Sequence, residues 1–127
     1  MALAKSNYLE GKIIEHVLRN VSYTSPTTVY AALYTTDPGE DNSGTEATGG
    51  SYARQVVTFG AHSNGSVDNT GAVEFADMPA GTFPYIGILD ASTAGNLLYY
   101  GELTDSITIT AGSSIIFADG DIIVTET

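Results

Sequence analysis

Along the first part of the chain apolar residues recur every three or four positions, and beyond it they recur every second position. Leu9, Ile13 and Val17, with Ile14, Leu18 and Val21, follow the helical repeat. Asn7 stands where a helix cap is needed, and Glu10 follows three residues later as in a capping box. The spacing predicts an amphipathic helix over residues 7–20, with Lys12, Glu15 and Arg19 on its polar face. Gly11 costs that helix about 1 kcal/mol relative to Ala, so it needs docking to persist. It ends before Pro26, because a proline disfavours helical conformation in the residue preceding it.

From Thr27 onward the chain is rich in Thr, Val, Ile, Tyr and Gly, which suit a pleated, half-buried surface. Thr27 to Thr35 alternates Val29, Ala31 and Leu33 against Tyr30, Ala32 and Tyr34, so both faces are apolar and a central strand is predicted. Further strands are predicted over residues 52–60, 71–78, 85–91, 96–103, 106–112, 113–119 and 121–126, each bounded by turn residues. Asp90 to Gly95 has the composition of a hairpin connection, and Asp119-Gly120 that of a tight turn or bulge. Short strands at this spacing indicate a sandwich or a barrel, with residues 27–126 as the β body of a single domain 1–127.

Charge narrows the choice of partners. The formal net charge is −11, and Lys5, Lys12 and Arg19 all precede Asn20, where only Glu10 and Glu15 oppose them. Every other acidic residue lies in the β body, whose single basic residue is Arg54. Such a field repels phosphate backbones and anionic headgroups, so neither nucleic acid nor membrane is expected as a partner. Cysteine is absent, which excludes disulfides, thiolate metal sites and a Cys nucleophile. The start of the chain has no apolar signal-like stretch, and no run reaches the roughly 20 apolar residues of a membrane span, so a soluble protein without a secretion signal is expected.

Candidate chemistry is sparse. Asp37, Glu40, Asp41 and Glu46 are hard oxygen ligands in one glycine-rich stretch, Thr35 to Arg54, and could together hold Ca²⁺. Counted from Asp37, however, the third position is Gly39 and the sixth Asn42, which is not the EF-hand pattern, and an exposed connection is the plainer reading. Asp77, Asp90, Asp105, Asp119 and Asp121 could supply a carboxylate pair for glycoside hydrolysis, but acids beside glycine are ordinary turn residues. His16 and His62 are the only histidines, and no Gly-x-Ser-x-Gly elbow or phosphate-cradling loop occurs. No cofactor, metal site or catalytic residue is therefore expected. The eight tyrosines offer amphipathic contact area, suited to a core or to subunit contacts.

The segments SNYLEGKIIEHVLRN, YTSPTTVYAALYTTDP, GGSYARQVVTFG, YIGILDASTAGNLLYYGEL and FADGDIIVT, in this order, resemble a family of small virion proteins of tailed bacteriophages. Members carry the labels capsid decoration (cement) protein or tail fibre protein. The resemblance runs from about Ser6 to Thr125. It implies a mainly β protein, a compact antiparallel β-sandwich (jelly-roll-like) with one N-terminal α-helix, and no enzymatic activity. The cement members are trimeric caps. By that resemblance the protein would be made in the host bacterial cytoplasm and sit on the outer capsid surface, clamping capsomers as a homotrimer. Its partners would be the major capsid protein, met by Lys5, Lys12 and Arg19, and itself, met by Tyr30, Tyr34, Tyr99 and Tyr100. The alternative is a tail-associated fibre or receptor-binding module whose loops, Thr35 to Tyr52 above all, touch a host glycan or protein.

Overall fold

The computed structural model describes residues 2–126. Its elements are β1 (Ala2–Lys5), α1 (Asn7–Leu18), β2 (Val29–Tyr34), β3 (Gln55–Val57), β4 (Ser66–Asp68), β5 (Val73–Phe75), β6 (Gly81–Leu89), β7 (Leu97–Ile109), β8 (Ile115–Phe117) and β9 (Ile123–Thr125). The architecture is mainly β with one N-terminal helix, as the hydrophobic pattern predicts. A curled seven-stranded sheet runs in the order β3-β2-β6-β7-β1-β9-β4, and β5 with β8 forms a separate two-stranded ribbon. Pairing is antiparallel except between β1 and β9, which are parallel.

The long hairpin β6–β7 is the frame of the sheet. Its connection is the Asp90–Gly95 segment, as expected, closed by Asp90 accepting from the Asn96 backbone N–H at 2.7 Å and from its side-chain amide at 3.0 Å. The two strands predicted over 96–103 and 106–112 are one strand, β7. What looks like a break is a bulge: Tyr85 pairs with Glu102 but Phe83 with Ile107, so residues 103–106 arch past Pro84. Proline has no N–H to give to the ladder, which is why the irregularity falls there.

β2 is paired on both sides and apolar on both faces, as predicted. Ala31 and Leu33 enter the main core with Ile86, Ile88 and Leu103, and the ribbon closes that core from above through Val73, Phe75, Ile115 and Phe117. Phe75 meets Phe117 edge-on at 6.2 Å, while the Tyr52 ring lies parallel to it at 6.0 Å. The opposite face holds a smaller cluster of Ala32, Tyr34, Leu89 and Leu97. There Gly87 is required: a Cβ would stand 2.9 Å from Leu97 Cδ1 and 2.9 Å from the Tyr34 ring.

Helix α1 is capped by Ser6 and not by Asn7. The Ser6 backbone is extended, its Oγ accepts from Leu9 N–H at 3.2 Å, and the same hydroxyl donates to Leu97 O at 2.5 Å. Asn7 N–H instead donates to Glu40 O at 2.8 Å, tying the helix start to the acid-rich loop. At the other end Asn20 adopts a left-handed conformation, φ 57°, and turns the chain so that Val21 N–H reaches back to Glu15 O. The expected docking is partial, since Leu9 alone of the helix is buried.

β1 and β4 were not predicted. β1 fills the gap between β7 and β9, and β4 lines the sheet edge beside β9. The segment after β4 is stapled by Asn69, which is fully buried. Its side chain donates to Gly71 O (2.7 Å) and Ala118 O (3.0 Å) and accepts from Ile122 N–H (2.8 Å). Asn69→Ala would leave these three backbone groups without partners. It is expected to cost about 3 kcal/mol, read in a thermal melt as a fall of roughly 10 °C; an unchanged midpoint would mean that the staple carries no stability.

Candidate functional site

The Thr35–Arg54 stretch leaves β2 at Tyr34, which pairs with Tyr85, and returns to β3, lying on the way against the β6–β7 connection and the start of α1. Its first half closes on itself. Thr35 N–H donates to Thr45 O at 2.9 Å, Thr45 N–H to Thr36 Oγ1 at 2.7 Å, and Ser43 N–H to Pro38 O at 2.8 Å. Asp37 Oδ1 accepts from Gly39 N–H at 2.9 Å, an Asx turn. Tyr34, buried beneath, donates to Asn42 Oδ1 at 2.9 Å, and its burial pushes the phenol up to about 12. At the tip of this half Glu40 and Asp41 remain exposed.

The second half is held by one ion pair. Arg54 grips Glu46 with both arms of the guanidinium, Nε to Oε2 and Nη2 to Oε1, each at 2.9 Å. Its third nitrogen, Nη1, donates to Ala91 O and Ala94 O at 2.8 Å, so the same side chain pins the β6–β7 connection. Tyr52 OH donates to Glu46 Oε2 at 2.6 Å and accepts from Leu33 N–H at 3.1 Å. Burial works to raise the Glu46 pKa, but the hydrogen bonds from Arg54 and Tyr52 outweigh it and hold the carboxyl below its ordinary range. Burial and the Glu46 contact push the Tyr52 phenol strongly up. The only base of the β body thus braces the acidic loop against the strand connection.

This use of side chains decides the fate of the other candidates. Glu46 is committed to Arg54, and among the described residues no three His, Cys, Asp or Glu side chains converge as metal ligands. Of the turn aspartates, Asp119 accepts from Gly71 N–H and Asp121 from Ala118 N–H, at 2.9 and 3.0 Å. Asp105 and Asp121 line one open groove with Ile107 and Phe117, while Asp90 closes the hairpin at the other end. His16 holds the helix end through Val21 O at 3.1 Å, and His62 is exposed.

The basic residues expected to meet a partner are dispersed. Lys5 is ion-paired with Glu126, which also accepts from Tyr99 OH at 2.8 Å. Lys12 and Arg19 stand exposed on α1, Lys12 over the Tyr8 ring at 5.5 Å and Arg19 on Glu15 at 2.7 Å. Among the tyrosines, Tyr34 is 1% exposed and its ring belongs to the chain's own core, which leaves it no surface for a neighbour. Tyr30, Tyr99 and Tyr100 are half-buried on the sheet. Sequence reasoning missed Arg54, Glu46 and Tyr52 as a unit. The available signal was the solitary base of an acidic body eight positions from a glutamate.

Two open grooves flank the braced end. One lies among Asn7, Tyr8, Glu40, Asp41, Asn42 and Asn96, the other among Tyr52, Arg54 and Ser92 to Ala94. Amides, carboxylates and phenols at their rims provide hydrogen-bonding contact. Fold and site together define a small β module with a rigid loop end. The chain belongs to the family described as podophage GP4 fiber I protein gp80, whose model matches residues 4–125. That membership places it among phage structural proteins of the fibre type, in agreement with the virion resemblance of its segments. Among curated proteins none matches the chain.

A depressed carboxylate pKa fixes the sign of a pH effect. The contribution of Glu46 is present above the unfolded carboxylate pKa and is lost as pH falls through the lower folded value. Urea unfolding of the wild type and Glu46→Gln should therefore show the larger stability gap at about pH 7 and a gap that shrinks progressively as pH falls below the ordinary carboxylate range. An equal gap throughout would show that the ion pair is not the brace.

Proposed function

We propose that the protein is a non-enzymatic structural component of a phage fibre, a module that supplies a rigid contact surface and performs no chemistry. The observation that carries this reading is the loop end itself. Glu46, Tyr52 and Arg54, the residues best placed for chemistry, are fully engaged in bracing it. Ordering loops before contact removes the entropy that binding would otherwise have to supply, which is what a recognition surface needs. The exposed tip, Thr35 to Asp41 with Ser92 to Asn96 beside it, then meets a host glycan or protein, or a neighbouring virion component. Membership of a fibre family supports this placement over the outer capsid surface.

A capsid-cement role, with Lys5, Lys12 and Arg19 on the major capsid protein and a homotrimer clamping capsomers, rests on the resemblance of the segments alone. Copy number separates the two. Densitometry of purified virions should find a small number of copies, and a gold-labelled antibody should decorate fibres. Hundreds of copies spread over the head would instead establish the cement role.

A further inference from the structure

The groove that holds Tyr8, Asn42 and Asn96 is assembled from three separate parts of the chain: the start of α1, the acid-rich loop and the β6–β7 connection. Each part is tied to the next. Asn7 N–H donates to Glu40 O at 2.8 Å, Ser6 Oγ donates to Leu97 O at 2.5 Å, and Asp90 holds Asn96 through both its backbone and its side chain. The volume enclosed, about 360 Å³, is that of a small-ligand site. Two amides lining it are half used. Asn42 Oδ1 accepts from Tyr34 OH at 2.9 Å, which leaves Nδ2 to donate into the groove, and Asn96 Nδ2 donates to Asp90 Oδ2 at 3.0 Å, which leaves Oδ1 to accept. Both are thus oriented before any contact. Glu40 and Asp41 add acceptors at the exposed rim, while Lys12, over the Tyr8 ring, lines the neighbouring groove with Glu15 and Val21. Among the described residues no base lines the groove itself.

We propose that this groove binds an uncharged sugar through its hydroxyls, an inference that rests on the reading of the loop end as a contact surface. The lining selects that class. A hydroxyl donates and accepts at once, so a sugar can take the Asn42 Nδ2 hydrogen while giving its own to Asn96 Oδ1 or to a rim carboxylate. Tyr8 supplies the apolar side that the C–H face of a pyranose needs. An anionic sugar meets two carboxylates and no base, and is repelled. A simple cation leaves the Asn42 donor idle, and its attraction to Glu40 and Asp41 is weakened because both are exposed and screened by solvent. Because the amides are already held by Tyr34 and Asp90, little freedom is lost on binding.

The test is an amide-resolved NMR titration of the full chain with methyl glycosides of glucose, galactose, mannose and rhamnose, with methyl glucuronide and glucosamine as charged probes. At least one neutral glycoside at millimolar concentration should shift the side-chain amides of Asn42 and Asn96, and methyl glucuronide should bind about tenfold more weakly or not at all. Asn42→Asp keeps the acceptor for Tyr34 OH and suits the left-handed backbone at φ 58°, but it removes the donor. It should weaken the neutral sugar by about tenfold, with circular dichroism to verify folding. Glu40→Gln combined with Asp41→Asn should bring methyl glucuronide up to the neutral glycosides. Asp105→Asn, in the groove with Ile107 and Phe117, should change nothing. No shift with any neutral glycoside, shifts centred instead on Ser92 to Ala94, full binding by Asn42→Asp, or a preference for glucosamine would each overturn the proposal. Copy number and labelling on virions decide the fibre reading separately, so a groove that takes no sugar leaves that reading standing.

Discussion

Arg54 carries the only positive charge of the β body, and where it goes settles the shape of one end of the molecule. The guanidinium has donors in fixed directions, and here all three nitrogens are used: Nε and Nη2 on the Glu46 carboxylate, Nη1 on the carbonyls of Ala91 and Ala94. The Arg54 side chain is only 9% exposed, so the pair exchanges little of its energy with solvent. Removing either partner would leave a half-buried charge, which is the costly kind of loss. Tyr52 links the pair to the strand core, because it touches Glu46, Leu33 N–H and the Phe75 ring together. A loop of the composition that usually stays solvated becomes part of the folded body.

The same economy of side chains runs through the other end. Asn69 uses its amide on three backbone groups, and Asp119 and Asp121 hold the turn that follows β8. Seven of the strands form one sheet whose main core is completed by the β5–β8 ribbon and by connection residues such as Ala47, Met78 and Ile122. With so small a second layer, polar side chains add to these few apolar anchors in fastening the connections. The result is a molecule whose pockets are open grooves and in which Glu46, Asp90, Asp119, Asp121 and Glu126 serve to fasten the chain.

How much of this is legible from residues depends on element length. β2 and the turn after β6 are readable, because six alternating positions and an Asp-Ser-Thr-Gly connection each exceed the noise of a single repeat. β3, β5, β8 and β9 are only three residues long but are readable because each sits in a longer apolar window, whereas β4, with Val67 as its one apolar residue, holds barely one period and cannot be told from a loop. Asn64-Gly65, both with positive φ, is a hairpin signal before β4 that could have revealed it. β1 has no such marker; it is a strand because β7 and β9 leave a slot for it. The periodicity of α1 is a fair guide to helix but says nothing about which apolar side faces the core. The loop was readable as exposed at its tip, yet the Glu46–Arg54 contact depends on the hairpin carbonyls, which only the three-dimensional arrangement brings near.

The central claim is that the loop end is held rigid by the Arg54, Glu46 and Tyr52 network. Amide hydrogen exchange on the native protein tests it directly. The bonded amides of Ser43, Thr45, Ala47 and Ser51 should exchange nearly as slowly as those of β6 and β7. Exchange at the rate of an unfolded peptide across residues 43–51 would contradict the account.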